Sequence, residues 1–334
     1  MPVGRPSRQQ VFETLDTARF DLDVIGGLPE PIVVSDVWAK IWTEETHNST
    51  AIEGNTLRLR QVELLLDDGV VSGSSKELRE WLEAKAYGDA ARWVYHEAFR
   101  TAPGDPRISE AEIREIHKRV VEPVWTHFPP EGLVRGEAPG VYRLRDHDPL
   151  RPELAPVPCN LTSQLDDWVK AANEQTMTLH THLVERLAEL HAWFERIHPF
   201  PDGNGRAGRL VLTMLLVRER YPPAIIYKGE RVKYLQALRR ADEGDSGPLG
   251  ELLARSVRDG IYRFLMPKLA GPLSVVPLAG LADESLSHYA LVAAAQRGRL
   301  KAQKLGNSWY STRQWVDEYK ASRYARRGES QGNK

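Results

Sequence analysis

Cysteine is nearly missing from this chain: its 334 residues hold one, Cys159. No intramolecular disulfide and no multi-cysteine zinc site can form. Long apolar runs are missing too. The longest, such as Val211–Val217, fall far short of the roughly 20 residues that a membrane helix needs. The opening MPVGRPSRQQ has no apolar run behind its charges, so it does not read as a secretory signal. A cytoplasmic protein with no membrane partner is the expectation. No repeat or low-complexity block stands out.

What is present suits a packed globular protein, 41% hydrophobic and 27% charged, with nine tryptophans to fill a core. Its length exceeds one ordinary domain of about 100–200 residues. The net charge of −1 hides an asymmetry. Residues 281–334 hold ten Lys and Arg against five Asp and Glu, a balance of +5 against −6 for the rest. A basic tail on an acidic body points to a polyanion partner or to a solvated basic terminus.

The body reads as nearly all helix. Apolar residues recur at three and four through Val37–Asn48 and Lys76–Phe99. Thr101–Arg107 is a breaker-rich joint, and Ser109 with Glu112 forms a capping box that opens the next helix. Gly132–Pro158, dense in Pro, Gly and Asp, reads as an extended or hairpin loop. Helices resume at Leu161–Asn173, Leu179–Ile197, Leu210–Val217, Arg231–Ala241 and Leu249–Phe264. Ala270–Gly280 forms a second joint. The expected division is a helical N-terminal region over 1–105, a core over 106–270 and a basic module over 281–325.

One segment carries chemistry. The helix before it places Leu183, Leu187, Leu190, Phe194 and Ile197 on one face, which anchors it in a core. His198 precedes Pro199, and a residue before proline is pushed out of the helical region, so the helix should stop and turn His198 outward. Pro201-Asp202-Gly203-Asn204-Gly205-Arg206 follows, and then a helix restarts. A Gly-Asn-Gly turn feeding a helix N-terminus directs several N–H groups at one spot, where the helix dipole also favours an anion. Arg206 and Arg209, three apart, can reach the same side of that anion. Asp202 supplies a hard oxygen for Mg²⁺, and His198 can take a proton from an attacking hydroxyl near neutral pH. Anion cradle, arginines, metal carboxylate and base together suit nucleotidyl transfer. The spacing is neither the Walker nor the Rossmann pattern. A Gly-rich turn with surface arginines would explain any one of these residues, but not all twelve.

The string His198-Pro-Phe-Pro-Asp-Gly-Asn-Gly-Arg-Ala-Gly-Arg209 resembles the full signature of the Fic-domain proteins, mostly AMP transferases of helical fold. A weaker likeness runs from about Ile108 to Phe264 and includes Gly140-Val-Tyr-Arg143, Tyr234 and Gly244-Asp245. The resemblance implies a mainly α core with a β-hairpin flap around Arg143–Pro156 that lays the target segment beside the site. It implies His198 as base and Asp202 as the Mg²⁺ (or Mn²⁺) ligand. Gly203, Asn204, Gly205 and Arg206 would hold the phosphates of ATP, with Arg209 on the terminal one. Phe200 would be a core anchor. Tyr234 would either flank the nucleotide base or sit buried in its helix.

Upstream, Ser49-Thr-Ala-Ile-Glu53-Gly54-Asn55 closes the helix that begins near Val37. Ser49 and Glu53 lie one turn apart on one face, and Gly54 suits the left-handed residue that ends a helix. A glutamate there faces the negative end of the dipole, which costs a few tenths of a kcal/mol unless a cation offsets it. The string resembles the inhibitory motif of many Fic proteins. That likeness implies that Glu53 pairs with Arg209 and keeps the ATP γ-phosphate from seating, with Ser49 supporting the geometry.

In the tail, Ser285–Arg297 reads as a helix with apolar Leu286, Tyr289, Leu291 and Val292. Leu300–Tyr310 alternates like a hairpin with a Gly306-Asn307 turn, and a helix restarts at Ser311–Tyr319. The pattern resembles a small winged helix-turn-helix of the excisionase type, with Arg297, Arg299, Lys301, Lys304 and Arg313 as phosphate contacts. The expected function is therefore an autoinhibited transfer of AMP from ATP to a protein hydroxyl, the chain's own included. The alternatives are a DNA-binding transcriptional or toxin–antitoxin-type regulator with the Fic unit as sensor, and an enzyme that removes AMP. The expected partners are ATP, a protein target, duplex DNA for the tail, and a second copy in a homodimer.

Overall fold

The structure, a computed structural model, describes residues 6–69, 75–102, 104–144, 158–174 and 181–331. The chain divides into two compact units. One holds residues up to Phe12 and Glu30–Val257, the other Glu13–Pro29 and Arg258–Lys334.

The larger unit is helical: α2 (Ser35–Ile52), α3 (Leu59–Asp68), α4 (Ser75–Arg100), α5 (Glu110–Trp125), α6 (Pro158–Asn173), α7 (Leu183–Ile197), α8 (Asn204–Arg218), α9 (Arg231–Asp242) and most of α10 (Gly247–Gly260). A first helix, α1 (Arg8–Val24), runs from this unit into the other. The expected capping box is present: Ser109 accepts from the Glu112 N–H, and Glu112 returns a carboxylate to the Ser109 N–H. At the heart lies α8, against which α2, α4, α5 and α7 pack. Thirteen of its fifteen residues are buried, so it has core on every side rather than one apolar stripe. That centrality matters for chemistry. The arginines at its start are held by surroundings that cannot shift easily.

The smaller unit carries the end of α10, a π-helical turn at Ile261–Leu265, α11 (Met266–Leu269), α12 (His288–Gln296) and α13 (Arg313–Gln331). The sequence pattern reads as one helix to Phe264; the structure widens its last turn. Pro267 follows directly, and a proline offers no N–H to continue the ladder. Three short antiparallel strands, β1 (Val276–Pro277), β2 (Gln303–Leu305) and β3 (Ser308–Ser311), pair in the order β1-β3-β2. Leu305 faces Ser308 across the Gly306-Asn307 turn, the expected hairpin. The stretch read as a second joint contains β1 and a 3-10 turn, Leu278–Leu281, with buried Leu278 and Leu281. Leu286 and Leu291 are buried, whereas Tyr289 is 85% exposed.

Candidate active site

α7 buries Leu187, Leu190, Phe194 and Ile197 and ends where the sequence said it would. The manner differs. His198 adopts the left-handed conformation (φ 49°, ψ 61°), not the extended one usual before proline. Such a backbone costs a non-glycine residue about 1 kcal/mol or more, so the surroundings must hold it. Arg143 does. Its guanidinium is buried, with Nε donating to the His198 carbonyl (2.9 Å) and Nη2 to that of Ile197 (3.4 Å), while its N–H donates to Pro199 (3.0 Å). One side chain thus satisfies the carbonyls at the end of α7 and fixes His198. The ring's Nδ1 lies 3.2 Å from the Glu195 carbonyl. A carbonyl only accepts, so Nδ1 carries the hydrogen and Nε2 the lone pair.

The loop after His198 is closed by Asn204. Its side chain accepts from the Phe200 N–H (2.9 Å) and donates to the Phe200 carbonyl (2.8 Å). What Asn204 can offer an anion is therefore its backbone N–H. Gly203 caps α8 at φ +81°, and a Cβ there would stand 2.6 Å from Val121, so only glycine fits. The N–H groups at the start of α8 point into this turn. Asp202 turns Oδ1 to the Gly203 N–H (2.7 Å) and Oδ2 toward Arg206 Nη2 (3.7 Å). Arg206 is buried, yet its Nε and Nη1 have no hydrogen-bond partner among the described residues. Buried donors left open are costly, and the remaining nitrogen, Nη2, sits beside Asp202 at the turn into α8.

Arg209 is engaged by the end of α2. Arg209 donates from Nε to the Ser49 hydroxyl (2.7 Å), and from Nη2 to the Ser49 carbonyl (3.0 Å) and to Glu53 Oε1 (2.8 Å). Glu53 Oε1 would lie only 2.5 Å from a Cβ on Gly205, so its carboxylate rests over the first turn of α8, where an anion would bind. The end of α2 is shaped for this: the Gly54 N–H bonds the Ala51 carbonyl, the Asn55 N–H bonds Thr50, and Gly54 takes φ +102°. Desolvation pushes the Glu53 carboxyl up, but the charge and hydrogen bond of Arg209 outweigh it and hold the group below its ordinary value. Burial works against the charge on Arg209, and the facing Glu53 more than restores it.

Beneath Arg209 lies a polar cluster. Tyr234 is buried with its hydroxyl 2.7 Å from His191 Nε2, which places it in the interior of the helix pair α7–α9. Desolvation lowers His191 to about 3, so it is neutral at working pH. Glu195 Oε1 is buried without a hydrogen-bond partner among the described residues, and desolvation raises its carboxyl to about 8. The folded state thus keeps a proton that an unfolded glutamate sheds near pH 4.5. Folding stability should fall as pH rises from about 4.5 through about 8. Glu195→Gln should flatten that decline, which urea unfolding at pH 6 and pH 9 measures.

Sequence reasoning gave no role to Arg143 and passed over His117. His117 is fully buried, stacked on Phe200 with centroids 3.7 Å apart. Its Nδ1 accepts from the Gly140 N–H (2.9 Å), so Nε2 donates to the Asp202 carbonyl (2.8 Å). It joins the segment entering the expected flap to the loop that carries Asp202. The flap itself, beyond Leu144, lies outside the described residues, as does most of Arg143–Pro156. Phe200 is fully buried, as expected of an anchor.

Residues 107–216 match the profile of the Fic/DOC family. The chain is 32% identical over 222 residues to protein adenylyltransferase fic-1 of Caenorhabditis elegans, covering 66% of this chain and 40% of that protein. It is also 32% identical over 283 residues to protein adenylyltransferase Fic of Culex quinquefasciatus, covering 83% and 51%. It therefore spans about half the length of the curated relatives it matches. A solved fragment of C. elegans Fic-1 superposes with a TM-score of 0.62 at 27% identity, covering 77% of this chain and 72% of the fragment. Signature, helical core and relatives agree: residues 107–216 of this chain form a domain of the Fic/DOC family.

Proposed function

We propose that this chain is an autoinhibited protein adenylyltransferase that moves AMP from ATP to a protein hydroxyl. The observation that carries the reading is Arg206, near the start of α8 and the Asp202 carboxylate, whose buried Nε and Nη1 have no acceptor among the described residues. Phosphate oxygens would complete them. The relatives, named as protein adenylyltransferases, support the same activity.

In the reaction, the target hydroxyl attacks the α-phosphorus, its proton passes to His198 Nε2, the bond to the β-phosphate oxygen breaks, and pyrophosphate leaves. Asn204, Gly205 and Arg206 offer backbone N–H groups, and the Arg206 guanidinium adds charge against the developing negative charge. Arg209, released from Glu53, would hold the γ-phosphate and so align the α-phosphate. Among the described residues no three acidic, histidine or cysteine side chains gather as a metal site. Asp202, whose side chain is 40% exposed, has the donor chemistry for Mg²⁺ or Mn²⁺ shared with ATP phosphates, where the ion would neutralise charge. Incubation with ATP labelled at the α- or the γ-phosphate decides the reaction class. Label should reach protein from the α-position alone; label from the γ-position would mean phosphate transfer and defeat the reading.

A second role for the smaller unit rests on the exposure of Arg297, Arg299 and Lys304 around the end of α12 and the hairpin. Lys301 instead faces Glu318 (3.4 Å), and Arg313 donates to the Pro267 carbonyl (3.3 Å), so both are partly committed. With so few basic residues left uncommitted around the hairpin, duplex DNA binding should be weak and should fall steeply with salt. Anisotropy titrations at 50 and 200 mM salt test this. Equal binding by a triple Ala variant of the three residues would end the proposal.

A further inference from the structure

Below the Glu53–Arg209 contact, helix α2 buries a carboxylate that plays no part in the reaction. Glu45, 4% exposed, accepts from Thr213 of α8 (2.8 Å), from Tyr95 of α4 (2.8 Å) and, at 3.5 Å, from Tyr87 of α4. Its position is periodic. Positions 45 and 49 of α2 and its capping residue 53 face 213, 209 and 205 of α8, each step four residues on antiparallel helices. Glu45 meets Thr213, Ser49 meets Arg209, and Glu53 covers Gly205. Burying a carboxylate is unfavourable unless its acceptors are filled, and three hydroxyl donors fill them only in this register. Sliding or tilting α2 would leave this buried carboxyl group without its partners. Elsewhere on α2, Arg231 donates to the Ile52 carbonyl (2.7 Å) and the Lys228 N–H to Asn48 (3.0 Å), so the helix is tied at its end as well.

We propose that Glu45 and Thr213 are positioning residues of the brake: their buried bond sets the register in which Glu53 reaches Arg209. This rests on the autoinhibited reading above. Glu45 touches no substrate and acts through α2 on Glu53.

Thr213→Val keeps the shape and removes the donor. If the bond holds the brake in place, this variant should raise transfer from α-labelled ATP by roughly tenfold, the worth of one hydrogen bond to a charged group. Glu45→Gln should raise it in the same direction by less, because an amide can still accept. The deciding readout is the same pair of substitutions in the Glu53→Gly protein. There they should give no gain, since no brake is left to release. A change of equal factor in both backgrounds, up or down, would mean a merely structural role and overturn the proposal. So would an unchanged rate in the wild-type background while Glu53→Gly itself activates. If Glu53→Gly fails to activate, the autoinhibited reading fails, and that result stands apart. Circular dichroism and ATP binding of each variant verify that the helices remain folded.

Discussion

Glu53→Gly is expected to raise AMP transfer by at least tenfold, read as label incorporated from α-labelled ATP. Arg209 is buried (its side chain 7% exposed) and gives hydrogen bonds to Ser49 and Glu53, so it is not available to a third phosphate. Glu53 keeps 42% side-chain exposure, so water reaches the carboxylate and the pair is worth less than a fully buried one. The contact is strong enough to hold the arginine and weak enough to be displaced. Hydrogen bonds to charged groups are worth about 1.5–3 kcal/mol, which sets the gain at roughly ten- to a hundredfold. Gly205 gains too, since the carboxylate lying over it leaves the anion cradle. Arg209→Ala should show no such gain, because it removes the phosphate ligand together with the partner of the brake. Equal activation of the two variants, or a Glu53→Gly protein no faster than wild type, would refute the arrangement.

Acid is a poor release for this contact. The Glu53 carboxyl is held below its ordinary value, so the pair persists above the unfolded glutamate range and is lost only as pH falls through the lowered folded value. Varying pH between 6 and 8 should therefore leave the ratio of Glu53→Gly to wild-type activity unchanged. Relief must come from something that competes for Arg209 or displaces α2.

Both ends of the Glu53–Arg209 contact lie in short strings with local logic, so the pairing was legible in the sequence. Ser49 and Glu53 are one turn apart before a glycine that ends a helix, and Asp202–Arg209 is a turn feeding a helix. What holds these strings in place was not legible. Arg143 reaches His198 across 55 residues, His117 reaches Asp202 across 85, and Glu45 reaches Thr213 across 168. Each is one polar residue with no local pattern. Its role is to satisfy a buried group brought near only by the packing of α2, α5 and α8. A signal for Glu45 did exist: a glutamate on the apolar side of α2, among Trp38, Ile41 and Trp42, must find donors inside the protein. The helix α3 shows a second kind of miss. Val62, Leu65 and Leu66 carry helical spacing, but a helix of ten residues shows too few repeats to stand out, and its apolar face is covered by Trp81 and Ala84 of α4.

His198→Ala should lower transfer from α-labelled ATP by about a hundred- to ten-thousandfold, the usual contribution of a positioned general base. ATP affinity should change little, since the donors on Arg206 and at the start of α8 do not depend on the imidazole. The loss should therefore fall on kcat rather than KM, the pattern of an interaction made only in the transition state. Two features of the site argue for the base. The Glu195 carbonyl fixes the tautomer with the lone pair on Nε2, and Arg143 holds the left-handed backbone that aims the ring. The loss should be measured in the Glu53→Gly background, where the brake cannot mask it. Arg143→Met offers the companion measurement. It leaves the imidazole present but removes the donors to the His198 and Ile197 carbonyls, so it should also depress kcat, with ATP binding retained. A His198→Ala protein that labels its target as fast as its parent would remove His198 from the mechanism, whatever the fate of the brake.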